Sequence, residues 1–428
     1  MKIINIVPGF GGTFYCGNCL RDSGFTKSLN DLGHEAHTLP IYLPLFAEDC
    51  NSKDGIPVFY GAVNIYLKQN FSFMRKMPKW VHNIFDSSPV LKYAAKKAGS
   101  TRAEGLEEMT ISMLKGHEGY QQEELQQLID YLRDHEKPDV VHLSNALLLG
   151  LAHKIKTDLG IPVVCSLQDE DVWIDAMSES YKPKLWQLLS EKARDVDAFI
   201  AVSDYFATLM KAKMQIPKEK LHAIHVGIDP EIYKVFEPSI NPPTIGYLSR
   251  SNEENGFEIL IDAFIKLKND SQYNNAKLKV TGGKTGDDKL VINKQLKKLR
   301  QNNFSDDIEF IEDFRKESLG VFFEGLTVLT VPVVKGEAFG LFQLEALASG
   351  IPLVQPALGA FPEIIEATGG GVVFEPNDAN ALAKKWAEVF SNPELIHQMS
   401  KNGLNSVKDT FHLSTLTQNI IKVYKGII

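Results

Sequence analysis

Short apolar runs alternate along the chain with stretches in which apolar positions recur at helical spacing. IINIV (3–7), DVVHL (139–143), PVVCSL (162–167) and AFIAVS (198–203) form a first set of runs. TIGYLS (244–249), KLKVTGG (277–283), VLTVPV (328–333) and PLVQP (352–356) form a second. Runs that are apolar throughout are characteristic of strands buried on both faces, and their alternation with helical periodicity predicts βα units on parallel sheets. The expected fold class is therefore α/β, with two separate parallel sheets. Between the two sets lies FEPSINPP (236–243), where three prolines interrupt all periodicity and predict a linker. The predicted organisation is an N-terminal lobe over 1–236, a C-terminal lobe over 243–410 and a terminal helix over 411–428 that packs back on the N-terminal lobe.

One region breaks this rhythm, and its charge pattern sets it apart as an irregular insert at about 50–135. Residues 68–102 carry eight basic residues against the single acid Asp86, whereas residues 103–136 carry nine acids against Lys115 and Arg133. Phe71, Phe73, Trp80, Phe85 and Tyr93 are interleaved with the bases, a composition suited to peripheral contact with anionic lipid or a large anionic acceptor. Two oppositely charged helical blocks pairing with each other would read the same way.

Composition narrows the class further. A chain of 428 residues exceeds one hydrophobic core, and 44% hydrophobic with 23% charged residues is ordinary for a globular protein. A net charge of -8 argues against a surface made to neutralise nucleic acid. Four cysteines, Cys16, Cys19, Cys50 and Cys165, are too few to staple such a chain, which points to a reducing, cytoplasmic setting. The apolar run at the N-terminus is shorter than a signal peptide's and is broken by Pro8, and no window approaches the length of a membrane span.

The richest chemistry lies in TVPVVKGEAFGLFQLEALASGIPLVQPALGAFPEII (330–365), which reads as strand, turn, helix, strand, turn, helix. A helix from about Gly340 to Ser349, stopped by Gly350, would aim the amides of Phe339, Gly340 and Leu341 at an anion, and Gly340 would let a diphosphate approach closely. Glu337 in the turn and Glu345 in the helix flank this position. A carboxylate only accepts hydrogen bonds and takes two hydroxyls side by side, which suits a vicinal diol; Glu345 is assigned to a ribose and Glu337 to a sugar. Standing alone, two such glutamates are commonly a capping residue and a solvated face.

On these residues the chain resembles the retaining, nucleotide-sugar-dependent glycosyltransferases of family 4, whose E-x7-E motif corresponds to Glu337 and Glu345. GHEAHTLPIY (33–42), VSDYFATLM (202–210), HVGIDPEIY (225–233), IGYLSR (245–250) and ILIDAF (259–264) extend the resemblance. It implies the GT-B fold, two Rossmann-like lobes facing across a cleft. It also implies a transferase moving a sugar from a nucleoside-diphosphate donor, UDP-linked or otherwise, to a hydroxyl acceptor such as a glycan, a lipid-linked glycan or a small molecule. No cofactor and no obligatory metal are implied, and nucleic acid is not a partner. The glycines Gly11 and Gly12 match the family's loop over the donor, and Arg250 its diphosphate cation. The chain departs from the family at Asn255, where a lysine is usual, and at Gln168, where many members place a histidine. Lys284 is a candidate replacement cation, and Asp169 a candidate catalytic carboxylate that also reads as part of an acidic helix start. These departures keep open an alternative, a GT-B protein that binds a nucleotide sugar with weak or lost transfer. A solute-binding protein is the rival from another class.

The C-x-x-C at Cys16 and Cys19 follows the first strand, as redox pairs do, yet the glycines before it fit no thioredoxin pattern. Zinc held with His34 or His37 is a second reading, and a dinucleotide fingerprint fails on spacing. The cysteines therefore read as passengers on the glycine loop. Arg21 reads equally as a cleft cation or a solvent-facing one, while His117, His142 and His153 read as structural.

Overall fold

The computed structural model describes residues 1–9, 15–42, 103–315 and 318–428. Gly11, Gly12, Cys50 and the basic, aromatic stretch 68–102 lie outside the described residues. Two wholly parallel six-stranded sheets are present. The first comprises β1 (Lys2–Val7), β2 (Glu35–Pro40), β3 (Val140–Leu143), β4 (Val163–Leu167), β5 (Ala198–Ala201) and β6 (Leu221–Ala223), in the order β2-β1-β3-β4-β5-β6. The second comprises β7 (Thr244–Leu248), β8 (Lys277–Thr281), β9 (Ile308–Phe310), β10 (Val328–Leu329), β11 (Leu353–Pro356) and β12 (Gly371–Phe374), in the order β12-β11-β10-β7-β8-β9. The central strands β3, β4, β5 and β7 are buried at every residue, as their uninterrupted apolar character requires.

In the first sheet the strand order reverses between β1 and β3, and in the second between β7 and β10. Ligands of open parallel sheets bind beyond the carboxyl ends of the strands at such a reversal. Residues 8–9 and Ser144 follow the first pair of strands; Ser249, Arg250 and the turn carrying Glu337 follow the second. Strand order alone thus selects two places where chemistry is to be sought.

The chain divides into two compact units. One gathers Met1–Gly12, Asn18–His225 and Leu416–Ile428; the other gathers Thr13–Gly17 and Val226–Thr415. The division falls ahead of the expected linker at 236–243 because Val226 onward is already tied to the second unit. Ile228 exchanges backbone hydrogen bonds with Phe411 and Leu413, and the Phe236 amide donates to the Ser349 carbonyl at 3.0 Å. Residues 103–136, expected within an irregular insert, include helices Glu107–Lys115 and Gln122–Tyr131, whose Ile111, Leu114, Leu125, Leu128 and Ile129 are buried.

The final helix, Leu413–Ile427, contributes Ile421 and Tyr424 to the core of the first unit beside Ile3, Phe25, Val140 and Val164. There the Tyr424 hydroxyl bonds His142 Nδ1, and His142 Nε2 lies 2.8 Å from Ser166 Oγ. Burial pushes the His142 imidazole down to about 3, so it stays neutral and structural. Among the described residues no helix is long and apolar enough to cross a membrane.

Candidate functional site

The second unit holds the denser constellation. Its E-x7-E segment leaves β10 and turns through residues 336–340 into a helix that runs only from Phe342 to Ala348. The helix begins later than Gly340 because Gly340 has φ +80°, outside the helical region. A side chain there would press within 2.9 Å of the Phe361 ring, so glycine is required on two counts. Phe339, Gly340 and Leu341 therefore precede the helix rather than open it: the Gly340 carbonyl accepts from the Gln343 amide at 3.0 Å, and the Leu341 carbonyl from Leu344. Gln343 Nε2 donates to the Phe339 carbonyl at 2.7 Å, pinning the turn from within the core. The Glu337 carbonyl accepts from the Ala360 amide at 3.0 Å, and Gly359 with φ +58° allows that approach. Glu337 is thus held by its backbone, with its side chain half-buried.

Glu345 is only 1% exposed, and both its oxygens are met by phenols. Tyr15 donates to Oε2 at 2.6 Å and Tyr233 to Oε1 at 3.0 Å. Burial, together with the Glu345 carboxylate, holds both tyrosines well above the ordinary phenol range, so they remain donors throughout the physiological range. Neither tyrosine was identified in the sequence. Tyr233 closes the family-like segment HVGIDPEIY, whereas Tyr15 carries no local signal, because its partner lies 330 residues away.

Arg250 follows β7, as expected for a diphosphate cation, but its guanidinium is forked on Asp288, with Nε to Oδ2 and Nη2 to Oδ1 both at 2.8 Å. Burial by itself would raise the Asp288 pKa; hydrogen bonds from Arg250 and from the Thr285 amide and hydroxyl outweigh it and hold the group below the usual carboxylate range. Asp288 was missed, although the Thr285-x-x-Asp288 spacing is that of a capping box, which it forms. Asn255 is committed locally as well: its Nδ2 donates to the Arg250 carbonyl at 3.1 Å and its amide to Asn252 Oδ1 at 2.8 Å. Lys284 is exposed.

In the first unit, residues 168–171 leave β4. Gln168 Nε2 donates to the Ser144 carbonyl at 2.7 Å, while its buried Oε1 has no hydrogen-bond partner among the described residues. Asp169 adopts φ +58°, unusual for a residue other than glycine, and accepts from Asn18 Nδ2 at 2.8 Å. Glu170, missed in the sequence, spans the ends of β3 and β4 by accepting from the Ala146 amide at 2.7 Å and the Gln168 amide at 2.8 Å. Burial raises it to about 8, and burial followed by the charge of Asp169 raises Asp171 to about 6. Glu170 and Asp171 also open the short helix Glu170–Asp175, so the acidic run is a helix start as well. Arg21 resolves as neither a cleft cation nor a solvated one: it is largely buried, paired with Asp22 at 2.5 Å and bonded to the Ser144 carbonyl.

Both cysteines of the C-x-x-C are disulfide-bonded, and Cys165 is free and buried. His34 and His37 have other partners, the N-terminal amine and Glu136 respectively. Among the described residues of the second unit, Asp229, Glu231 and His412 bring ligand atoms within 4.8 Å of one another. Glu231 is exposed and lies 3.5 Å from His412, which reads as a surface ion pair.

Known proteins agree with this architecture. Residues 230–406 match the family described as glycosyl transferases group 1, and residues 112–232 match glycosyltransferase family 4. The MMP alpha-(1->4)-mannosyltransferase of Mycolicibacterium hassiacum is 23% identical over 68% of this chain and 71% of its own. The N-acetyl-alpha-D-glucosaminyl L-malate synthase of Bacillus anthracis is 22% identical over 68% of this chain and 76% of its own. Among solved structures, a sucrose-phosphate synthase from Thermosynechococcus elongatus superposes with a TM-score of 0.71 at 16% identity, covering 100% of this chain and 98% of that one. Anabaena HepE in complex with UDP superposes with a TM-score of 0.69 at 16% identity, covering both chains fully. With two six-stranded parallel sheets of this order and both halves of the family pattern present, the chain belongs to the group 1, family 4 glycosyltransferases of GT-B fold.

Proposed function

We propose that this glycosyltransferase moves a sugar from a nucleoside-diphosphate donor to a hydroxyl acceptor with retention of configuration. The observation that carries this reading is Glu345, a buried carboxylate whose two oxygens each accept one hydroxyl, at 2.6 and 3.0 Å, as a vicinal diol would require. Glu345 is assigned to the donor ribose. Glu337, eight residues earlier on the fixed turn, is assigned to the transferred sugar, with Phe339, Gly340 and Leu341 lining the path of the diphosphate. Arg250 sits at the strand reversal where a leaving diphosphate would gather charge, and its role is to stabilise that charge. In the first unit, Gln168 and Asp169 are assigned to sugar hydroxyls. Gln168 cannot take a proton near neutral pH, so the acceptor proton passes to a diphosphate oxygen on the face from which the leaving group departs. No metal is required in this scheme.

The family relatives that act on mannosyl and N-acetylglucosaminyl groups, and the neighbour that holds UDP, support a hexosyl donor on a nucleoside diphosphate. Two features favour a second reading, in which the protein binds such a donor with weak transfer: Asp288 is forked on Arg250, and Asn255 stands where the family resemblance implies a lysine. Incubation with UDP-, GDP- and ADP-sugars and a panel of glycan and small-molecule acceptors, with and without EDTA, separates them. Product with an unchanged anomeric configuration, insensitive to EDTA, is expected. Tight binding without transfer or donor hydrolysis selects the second reading, and absence of nucleotide binding contradicts both.

A further inference from the structure

We propose that Tyr15 occupies the ribose position on Glu345 in the unliganded protein, so that donor entry exchanges a phenol for a sugar hydroxyl and Tyr15 sets the affinity of the site. This inference rests on the reading of Glu345 as the ribose carboxylate.

The two phenols on Glu345 are anchored differently. Tyr233 belongs to the body of the second unit: its amide donates to Pro230 at 3.2 Å, and three residues later the Phe236 amide is fixed to Ser349 at 3.0 Å. Tyr15 comes from the other end of the chain. It belongs to the second unit, where its amide donates to the Gly282 carbonyl at 3.0 Å and the neighbouring Gly17 lies against Leu341. Tyr15 also makes the shorter hydroxyl bond, 2.6 Å against 3.0 Å. Of the two hydroxyls, it is the one held by a segment remote in sequence, and hence the one that can leave without dismantling the unit.

A carboxylate that is 1% exposed is costly to leave without donors, so something must satisfy it before a ligand arrives. A phenol and a ribose hydroxyl are both single O–H donors of the same reach, and each fills the same acceptor position. Exchange of one for the other keeps the carboxylate satisfied, but it makes the phenol a competitor of the ligand. Removing only the phenolic oxygen deprives the unliganded state of a bond that the liganded state does not use, and binding tightens.

The test is titration calorimetry of the full chain with UDP, GDP and ADP, comparing wild type, Tyr15→Phe and Glu345→Gln. Tyr15→Phe keeps the ring and is expected to bind the preferred nucleoside diphosphate about tenfold tighter than wild type, while Glu345→Gln binds it more weakly. Unchanged or weaker binding by Tyr15→Phe, with Glu345→Gln still impaired, overturns the role of Tyr15 and leaves that of Glu345 intact. Wild-type affinity in Glu345→Gln, or no binding of any of the three by any protein, overturns the ribose reading and this inference with it.

Discussion

Glu170 and Glu345 form an instructive pair. Each is 1% exposed, each sits in the connection that follows a central parallel strand, and each has both oxygens occupied. Glu170 accepts two backbone amides, which have nowhere else to go and fasten the end of β3 to that of β4. Glu345 accepts two side-chain hydroxyls, of which the one from Tyr15 is proposed to give way to a hydroxyl of another molecule. Burial alone therefore does not mark a functional carboxylate; the identity of its donors separates a structural group from one that can trade partners.

The largest effect expected from breaking this contrast is on catalysis. Glu337→Ala is expected to lower kcat by at least about a hundredfold while nucleotide affinity stays near wild type, because a contact made to the reacting sugar acts mainly in the transition state. Steady-state kinetics beside calorimetry checks this, and equal losses in both would refute the division between Glu337 and Glu345. Next comes Arg250→Ala, which leaves buried Asp288 without its cation. A stability loss of about 3 kcal/mol in urea unfolding is expected, together with reduced turnover.

Glu170 supplies a pH signature that Glu345 does not share. Its folded pKa of about 8 lies above the ordinary carboxylate value, so the folded state holds a proton that the unfolded state has released. Its contribution is complete below the unfolded pKa and is lost as pH rises towards 8. His142, held down to about 3, works oppositely but finishes titrating by about its ordinary value of 6.5. Between pH 6.5 and 8 the protein should therefore lose stability with a slope of up to about 1 kcal/mol per pH unit, and Glu170→Gln should flatten it. A slope unchanged in the variant would show that Glu170 is ionised in the folded protein.

The smallest effect concerns the terminal helix. Tyr424→Phe removes the hydroxyl on His142 and is expected to cost about 1 kcal/mol without altering nucleotide binding. Thermal unfolding and calorimetry together decide that.

Much of the fold was legible because the central strands are apolar at nearly every position, which leaves little ambiguity in β3, β4, β5 and β7. Short edge strands were not: β6 reads LHA and β9 reads IEF, three residues each and partly exposed, with no run long enough to show a period. Glu337, Glu345, Gly340 and Arg250 stood out as candidates because each lies in a compact motif. What sequence spacing withheld was pairing at long range. Tyr15 meets Glu345 across 330 residues, and Arg250 meets Asp288 across 38, so the occupied state of both groups emerged only in three dimensions. The C-x-x-C gives the same lesson. Its glycine-rich approach was readable, but its bonded state was not, and modification of Cys16 or Cys19 by an alkylating reagent now requires prior reduction.

The claim that Glu345 takes the ribose diol is tested most directly by comparing each nucleoside diphosphate with its 2′,3′-dideoxy form, in wild type and in Glu345→Gln. Wild type is expected to prefer the ribose form by about thirtyfold, or ~2 kcal/mol, and the preference should fall below about threefold in Glu345→Gln. An undiminished preference in Glu345→Gln would place the ribose elsewhere and contradict the account.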